Sequence, residues 1–221
     1  MKNPGLLCLI LVPVCAPLAG HAQGTFQNLD FEAANVSGYP AGTVPATNGI
    51  PGWTAYTGGA PQSSILFNNA SLGEAAVSLQ STLYPPFQGQ FSVLLQASFF
   101  APDTNTAAIG QTAFIPIIDQ SMTFWANTSL SGVANNMQVS LNGTGIPYFA
   151  VGSGAGYTVY AADISAFAGQ TAQLLFTAFN NTYAEIDNIQ FSNQPVPEPT
   201  VLGLSLFGTL LVRWRFVRRR R

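Results

Sequence analysis

The chain has 221 residues, 48% of them hydrophobic, and a formal net charge of −2. Its seven Lys and Arg are Lys2, Arg213, Arg215, Arg218, Arg219, Arg220 and Arg221, so the interior between them holds all nine carboxylates and no lysine or arginine. Such an interior cannot displace counterions from phosphates, which excludes nucleic acid as a partner.

Residues 1–22 read as a secretory signal peptide. Lys2 forms the charged region, Leu6 to Leu18 the apolar region, and Gly20 and Ala22 the small positions of a cleavage site after Ala22. Pro13 and Pro17 argue against a core helix there, and Val14 argues against lipidation at Cys15. Cys8, Cys15 and His21 all fall in this segment, so the mature chain is expected to have no Cys, His or Lys. That removes disulfides, Ser-His-Asp and Cys-His nucleophiles, Schiff-base lysines and His- or Cys-ligated zinc. Carboxylates, hydroxyls, amides and aromatics remain for chemistry.

A single domain is expected over residues 23–193. Short apolar or alternating runs separated by Gly, Pro, Asn, Ser and Thr predict an all-β fold, an antiparallel jelly-roll-like sandwich. The expected strands are Thr25–Glu32, Ser63–Phe67, Ala75–Gln80, Phe91–Phe99, Ala108–Ile115, Ser121–Asn127, Met137–Asn142, Tyr157–Asp163, Ala172–Phe179 and Ala184–Ser192. Ala33–Gln62 reads as one long Gly- and Pro-rich loop, and Ile164–Gln170 as a helical turn capped by Asp163 or Ser165. In the last strand Ile186 and Ile189 fall on opposite faces of a strict alternation, so its faces are not simply inside and outside. Of the neighbours Phe124 and Trp125, one is expected in the core and one outward, with a structural role assigned to Trp125.

Residues 194–199 read as an extended linker ending in Pro197-Glu198-Pro199, and residues 200–221 as a hydrophobic helix closed by arginines. The apolar run from Thr200 to Val212 is shorter than the roughly 20 residues of an upright membrane span. It would need Arg213 and Arg215 to snorkel, and Arg218 to Arg221 would set the C-terminus on the cytoplasmic side. The order Val196-Pro197-Glu198-Pro199, short apolar helix, arginine cluster resembles the PEP-CTERM sorting signal of Gram-negative bacteria. The resemblance implies an exosortase, a membrane transpeptidase, as processing partner, and a destination in the envelope or extracellular matrix, with the membrane engaged through the C-terminal helix.

The body resembles the galactose-binding-like and carbohydrate-binding-module β-sandwiches through "NLDFE" (28–32), "IPGW" (50–53), the "IGQTAFIP" and "SMTFWA" pair (109–126), "DISAFAGQTAQLLFTAF" (163–179) and "EIDNIQF" (185–191). Several of those families hold a structural calcium between first and last strands. The matching carboxylates here are Glu32 and Asp187 with Asp30 as a third; the alternative is that they are solvated or cap turns. Trp53, Tyr56 and Tyr84, with Phe87 and Tyr148, are the aromatics available to a polysaccharide ligand.

The expected function is therefore an exported surface or matrix protein, structural or adhesive and non-catalytic. One alternative is a module that recognises an exopolysaccharide. The other is a carboxylate-dependent glycosidase using Glu74, Asp103 or Asp119.

Overall fold

The computed structural model describes residues 25–98, 105–128 and 137–196. The expected signal peptide with Ala22, residue Asp103, the Pro197-Glu198-Pro199 element and the arginines from Arg213 to Arg221 lie outside the described residues. Among the described residues no helix is long and apolar enough to cross a membrane.

In chain order the strands are β1 (Gly42–Pro45), β2 (Thr54–Thr57), β3 (Ala60–Gln62), β4 (Ser64–Phe67), β5 (Ala76–Gln80), β6 (Ser92–Gln96), β7 (Ala107–Phe114), β8 (Ser121–Asn127), β9 (Met137–Leu141), β10 (Thr144–Gly145), β11 (Tyr148–Gly154), β12 (Tyr157–Asp163), β13 (Thr171–Ala178) and β14 (Tyr183–Ser192). A single turn of helix, α1 (Ala46–Gly49), follows β1, and a 3-10 turn spans Ser165–Phe167. One sheet has the spatial order β1-β4-β5-β6-β14-β8-β12-β11, the other β10-β9-β13-β7-β2-β3. All pairings between these strands are antiparallel except β4 with β5, which is parallel, so the purely antiparallel expectation is corrected there.

Alternation explains which side chains fill the space between the sheets. In β13, Ala172, Leu174, Phe176 and Ala178 are buried while Gln173, Leu175 and Thr177 are only half-buried. In β8, Met122, Phe124 and Ala126 point inward. Phe124 meets Phe176 of the opposite sheet edge-on at 5.2 Å, Phe176 lies 6.5 Å from Trp53, and Trp53 lies 5.8 Å from Phe31. Tyr148 and Tyr160 pack on Phe124 at 5.4 and 5.5 Å. These rings join the two sheets across the core, each pair adding about 0.5–1.5 kcal/mol beyond the area it buries.

Two segments differ from the sequence-based expectation. Thr25–Glu32 is not a strand: only Thr25 bridges the sheet, opposite Phe114, and Asn28 and Phe31 have φ of 50° and 61°. The apolar alternation there serves a knot instead. The Asn28 carbonyl accepts the Trp53 indole N–H at 2.9 Å, its amide donates to the Pro51 carbonyl, and its Oδ1 accepts the Ala33 N–H. Gln27 and Gln111 exchange two hydrogen bonds between main chain and side-chain amide, substituting for a strand pair. Ala33–Gln62, expected as a loop, contains β1, α1, β2 and β3; their brevity and prolines hid them. The two-residue β10 and the seven-residue β11 also lay in stretches read as connections.

The ambiguous last strand resolves as a β-bulge. Pairing between β14 and β8 shifts register between Asp187 and Gln190, with Asn188 at φ 48°. The extra residue resets the parity, so Ile186 and Ile189 both reach the core. The bulge is tied down by the Ile189 N–H, which donates to the Leu29 carbonyl at 2.9 Å.

Candidate functional site

The outer face of the eight-stranded sheet collects polar side chains that alternate with the core-facing ones. From β5 come Ser78 and Gln80, from β6 Ser92 and Gln96, from β14 Tyr183, Glu185 and Asp187, and from β8 Trp125 and Asn127. Their register places Glu185 beside Asn127 and Asp187 beside Trp125. Most outward-facing strand residues are wet, yet Gln80, Ser92, Gln96, Glu185 and Asp187 are buried, with Asp187 at 0% exposure. The 81–91 loop reaches over this face. Its Gln88 N–H donates to Asp187 Oδ2 at 3.0 Å, and its Gln90 and Phe91 N–H groups donate to Glu32 Oε1 at 2.8 and 3.0 Å.

Burial dominates the electrostatics of this layer. Glu185 is pushed up to about 7 by desolvation, with the Ser92 hydroxyl, donating at 2.6 Å, pulling it back and Asp187 adding repulsion. Asp187 is also pushed up to about 7 by burial; the Gln88 and Asn188 N–H groups oppose the rise and Glu32 reinforces it. Tyr183 is raised by burial and by neighbouring Tyr84, while its hydrogen bond with Gln96 opposes the rise. No lysine or arginine exists between residues 3 and 212 to offset the acidic pair.

The carboxylates expected to hold calcium are engaged by main-chain donors. Glu32 Oε1 accepts two backbone N–H groups, and both Asp187 oxygens accept one each, at 2.7 and 3.0 Å. Calcium needs six to eight oxygens around it. Asp30 is exposed and its Oδ1 faces the Glu32 N–H. Among the described residues no group of three acidic, His or Cys side chains assembles to hold a metal.

The three aromatics expected to form a platform are separated by the fold. Trp53 is 5% exposed and hydrogen-bonded within the core, which corrects its reading as a ligand aromatic. Tyr56 stands on β2 in the six-stranded sheet, its ring against Gly110, on the other side of the molecule from the polar face. Tyr84 is half-buried in the 81–91 loop near Tyr183. Phe124, not Trp125, is the core member of that pair.

Trp125 instead stacks on Tyr157 of β12 with ring centroids 4.4 Å apart and planes 10° from parallel, and Phe87 of the 81–91 loop leans on Tyr157 at 5.1 Å. All three rings are half-buried. Beside them a groove of about 430 Å³ is lined by Asn127, Thr128, Gly156, Tyr157, Thr158 and Tyr160. Tyr157 escaped the sequence reading because its partner Trp125 lies 32 positions away; only the β8–β12 register joins them. The glycosidase candidates are not joined: Glu74 precedes β5 near the Gln96–Tyr183 end of the sheet, and Asp119 precedes β8 at the opposite end, where Ser121 pairs with Ser192.

No protein-family model and no curated protein matches the sequence. Among solved structures the chain is similar to TmCBM61 in complex with beta-1,4-galactotriose, at 10% identity and a TM-score of 0.41, covering 77% of this chain and 99% of that one. It is also similar to the enzymatically active domain of bacteriophage CBA120 tailspike protein 4, at 15% identity and a TM-score of 0.38 over 64% of this chain. A third likeness is to the secreted serine protease VesC from Vibrio cholerae, at 14% identity and a TM-score of 0.32 over 55% of this chain. The matched region spans 19% of the tailspike domain and 25% of the protease. Likenesses this slight carry no assignment of function.

Proposed function

We propose that the chain is an exported, surface- or matrix-held β-sandwich that binds a glycan, without catalysis, at the groove beside Trp125 and Tyr157. The observation that carries this reading is the junction of a half-buried aromatic stack with a groove of hydroxyls and an amide. A sugar ring has an apolar C–H face and a rim of hydroxyls, so it needs both kinds of wall at once. The groove volume falls within the range of small-ligand sites, about 300–1,000 Å³. Glu185 and Asp187 serve here as buried acceptors that hold Ser92 and the 81–91 loop in place, which supports a binding role over a hydrolytic one.

Substituting Trp125→Ala is expected to weaken retention on the cognate polysaccharide at least tenfold, about 1.4 kcal/mol or more, in affinity gel electrophoresis. Tyr56→Ala, on the opposite sheet, is expected to change nothing. Equal retention of the Trp125→Ala chain and the parent would end the glycan reading of this groove.

The export part of the proposal rests on the two chain ends. The C-terminal tail, with its Pro197-Glu198-Pro199 element and Arg213–Arg221, is the sorting signal, and an exosortase-type transpeptidase is the partner that removes it. Intact mass spectrometry of protein recovered from the native envelope is expected to lack residues 1–22 and the residues beyond Pro199. A mass that retains Arg213–Arg221 would instead describe a simple tail anchor.

A further inference from the structure

A β-sandwich has edges, and an edge strand presents a row of unused backbone N–H and C=O groups that another chain can pair with. Three of the four edges here are blunted. β1 has four residues and ends in Pro45, β3 has three with Pro61 at its centre, and β10 has two. Proline removes a ladder donor, and strands this short offer little to pair with. β11 differs: it has seven residues, contains no proline, and is exposed on both faces from Ala150 to Gly154. Among the described residues nothing pairs with its outer side.

Two further observations fall on the same edge. No Asp, Glu, Lys or Arg occurs from Gln120 through Ala162, so β11 and the β12 residues that pair with it are uncharged. The charged side chains of the body are all acidic, and none of them stands on this edge to repel a second copy. Where β11 begins, a groove of about 510 Å³ opens between the two sheets, lined by Val139, Ile146, Pro147, Tyr148 and Phe179 among others. Among the described residues β11 is therefore the one long, proline-free edge strand; a second copy of this anionic chain approaches it without repulsion and finds apolar surface beside it to cover.

We infer that two copies of the chain associate through β11, strand against strand in antiparallel register about a two-fold axis, joining their eight-stranded sheets into one. An antiparallel pairing of identical strands is self-complementary, as a closed dimer requires. The bulge that leaves Val151 unpaired against β12 limits the new ladder to the segments on either side of it, which fits a reversible dimer better than a filament. Since Tyr157 pairs with Gly154 at the end of the same hairpin, dimerisation would bring the two aromatic stacks into one sheet surface.

The test uses the full chain in mild detergent, with Cys8→Ser and Cys15→Ser removing the native thiols. Ser153→Cys is expected to give a disulfide-linked dimer on mild oxidation, whereas Ser165→Cys, on the exposed 3-10 turn, gives none. In sedimentation the parent and Ser153→Thr are expected to run as dimers and Ser153→Lys as a monomer, because two lysines would face each other across the ladder. A monomeric parent, a dimer that survives Ser153→Lys, or equal cross-linking at both cysteine positions would each overturn the inference, the last two pointing to association elsewhere on the chain.

Discussion

Trp53→Ala is expected to cost the fold about 3–5 kcal/mol, the range for deleting a buried aromatic side chain. Three losses coincide. The indole leaves a cavity between Phe31 and Phe176 in the middle of the aromatic line, its N–H no longer satisfies the Asn28 carbonyl, and the knot at residues 28–33 loses the partner that holds it. That knot contains Phe31 at φ 61°, a conformation that costs a bulky residue energy and persists only while its surroundings hold it. Trp53→Phe keeps most of the volume and removes the hydrogen bond, so it is expected to cost roughly 1–3 kcal/mol. Urea unfolding of both variants against the parent measures the two costs. A Trp53→Ala chain as stable as the parent would mean the ring lies at the surface after all.

The second large effect is a decline of stability as pH rises. Glu185 and Asp187 titrate near 7 in the fold, against about 4 for an ordinary carboxyl. Below pH 4 both states hold the protons, and the fold keeps its full stability with respect to these groups. Between about 4 and 7 the unfolded chain has released its protons while the folded chain retains them, so raising the pH favours unfolding by up to about 1.4 kcal/mol per pH unit per carboxyl. The midpoint of thermal unfolding is expected to fall by on the order of 10–20 °C between pH 5 and pH 8 in scanning calorimetry.

Substitution separates the two acids. Glu185→Gln keeps an acceptor for the Ser92 hydroxyl and removes a buried charge, so it is expected to raise the midpoint at pH 8 and flatten its pH dependence. Asp187→Asn offers one carbonyl to two N–H donors, from Gln88 and Asn188, and is expected to destabilise at every pH. Asp119, raised by burial, has the same sign as the pair, and Asp163, lowered by the Ser165 hydroxyl and N–H, has the opposite sign; both are minor beside it. A midpoint that rises with pH would show that the pair is ionised in the fold and that some cation neutralises it.

The strands that sequence made legible are those whose alternation reports burial on one side only. Ser121–Asn127 and Tyr157–Asp163 appear in the structure with the same bounds, because Phe124 and Ala162 fall on the apolar beat and Trp125 and Val159 off it. Legibility failed where another constraint shared the same letters. "NLDFE" alternates like a strand, but its asparagine enters the left-handed region and its phenylalanine follows, so turn chemistry prevailed over pattern. β1 and β3 were hidden by prolines that sit comfortably only because both are edge strands. For the site, the reading of Trp53 failed because loop aromatics beside Pro and Gly suit a cap and a platform equally, and only burial distinguishes them. The polar face was obscured for a similar reason: "AVSLQ" and "SVLLQ" show glutamines where solvent is expected, and only the Asn69–Ser71 segment, bonded to Gln80 and Gln96, turns them into a buried layer.

The position of β14 bears on how the body can be made. It is the last strand of the sandwich in sequence, yet in space it lies between β6 and β8, which pair with it and not with each other. Until residues 183–192 arrive, the larger sheet exists only as two separate halves with open inner edges. Most of the stabilising contacts are therefore long-range and assemble together at a late stage, the kind of topology that folds slowly. Under the export proposed above, this arrangement would delay completion until nearly all of the body has emerged, keeping the chain unfolded while it is threaded across.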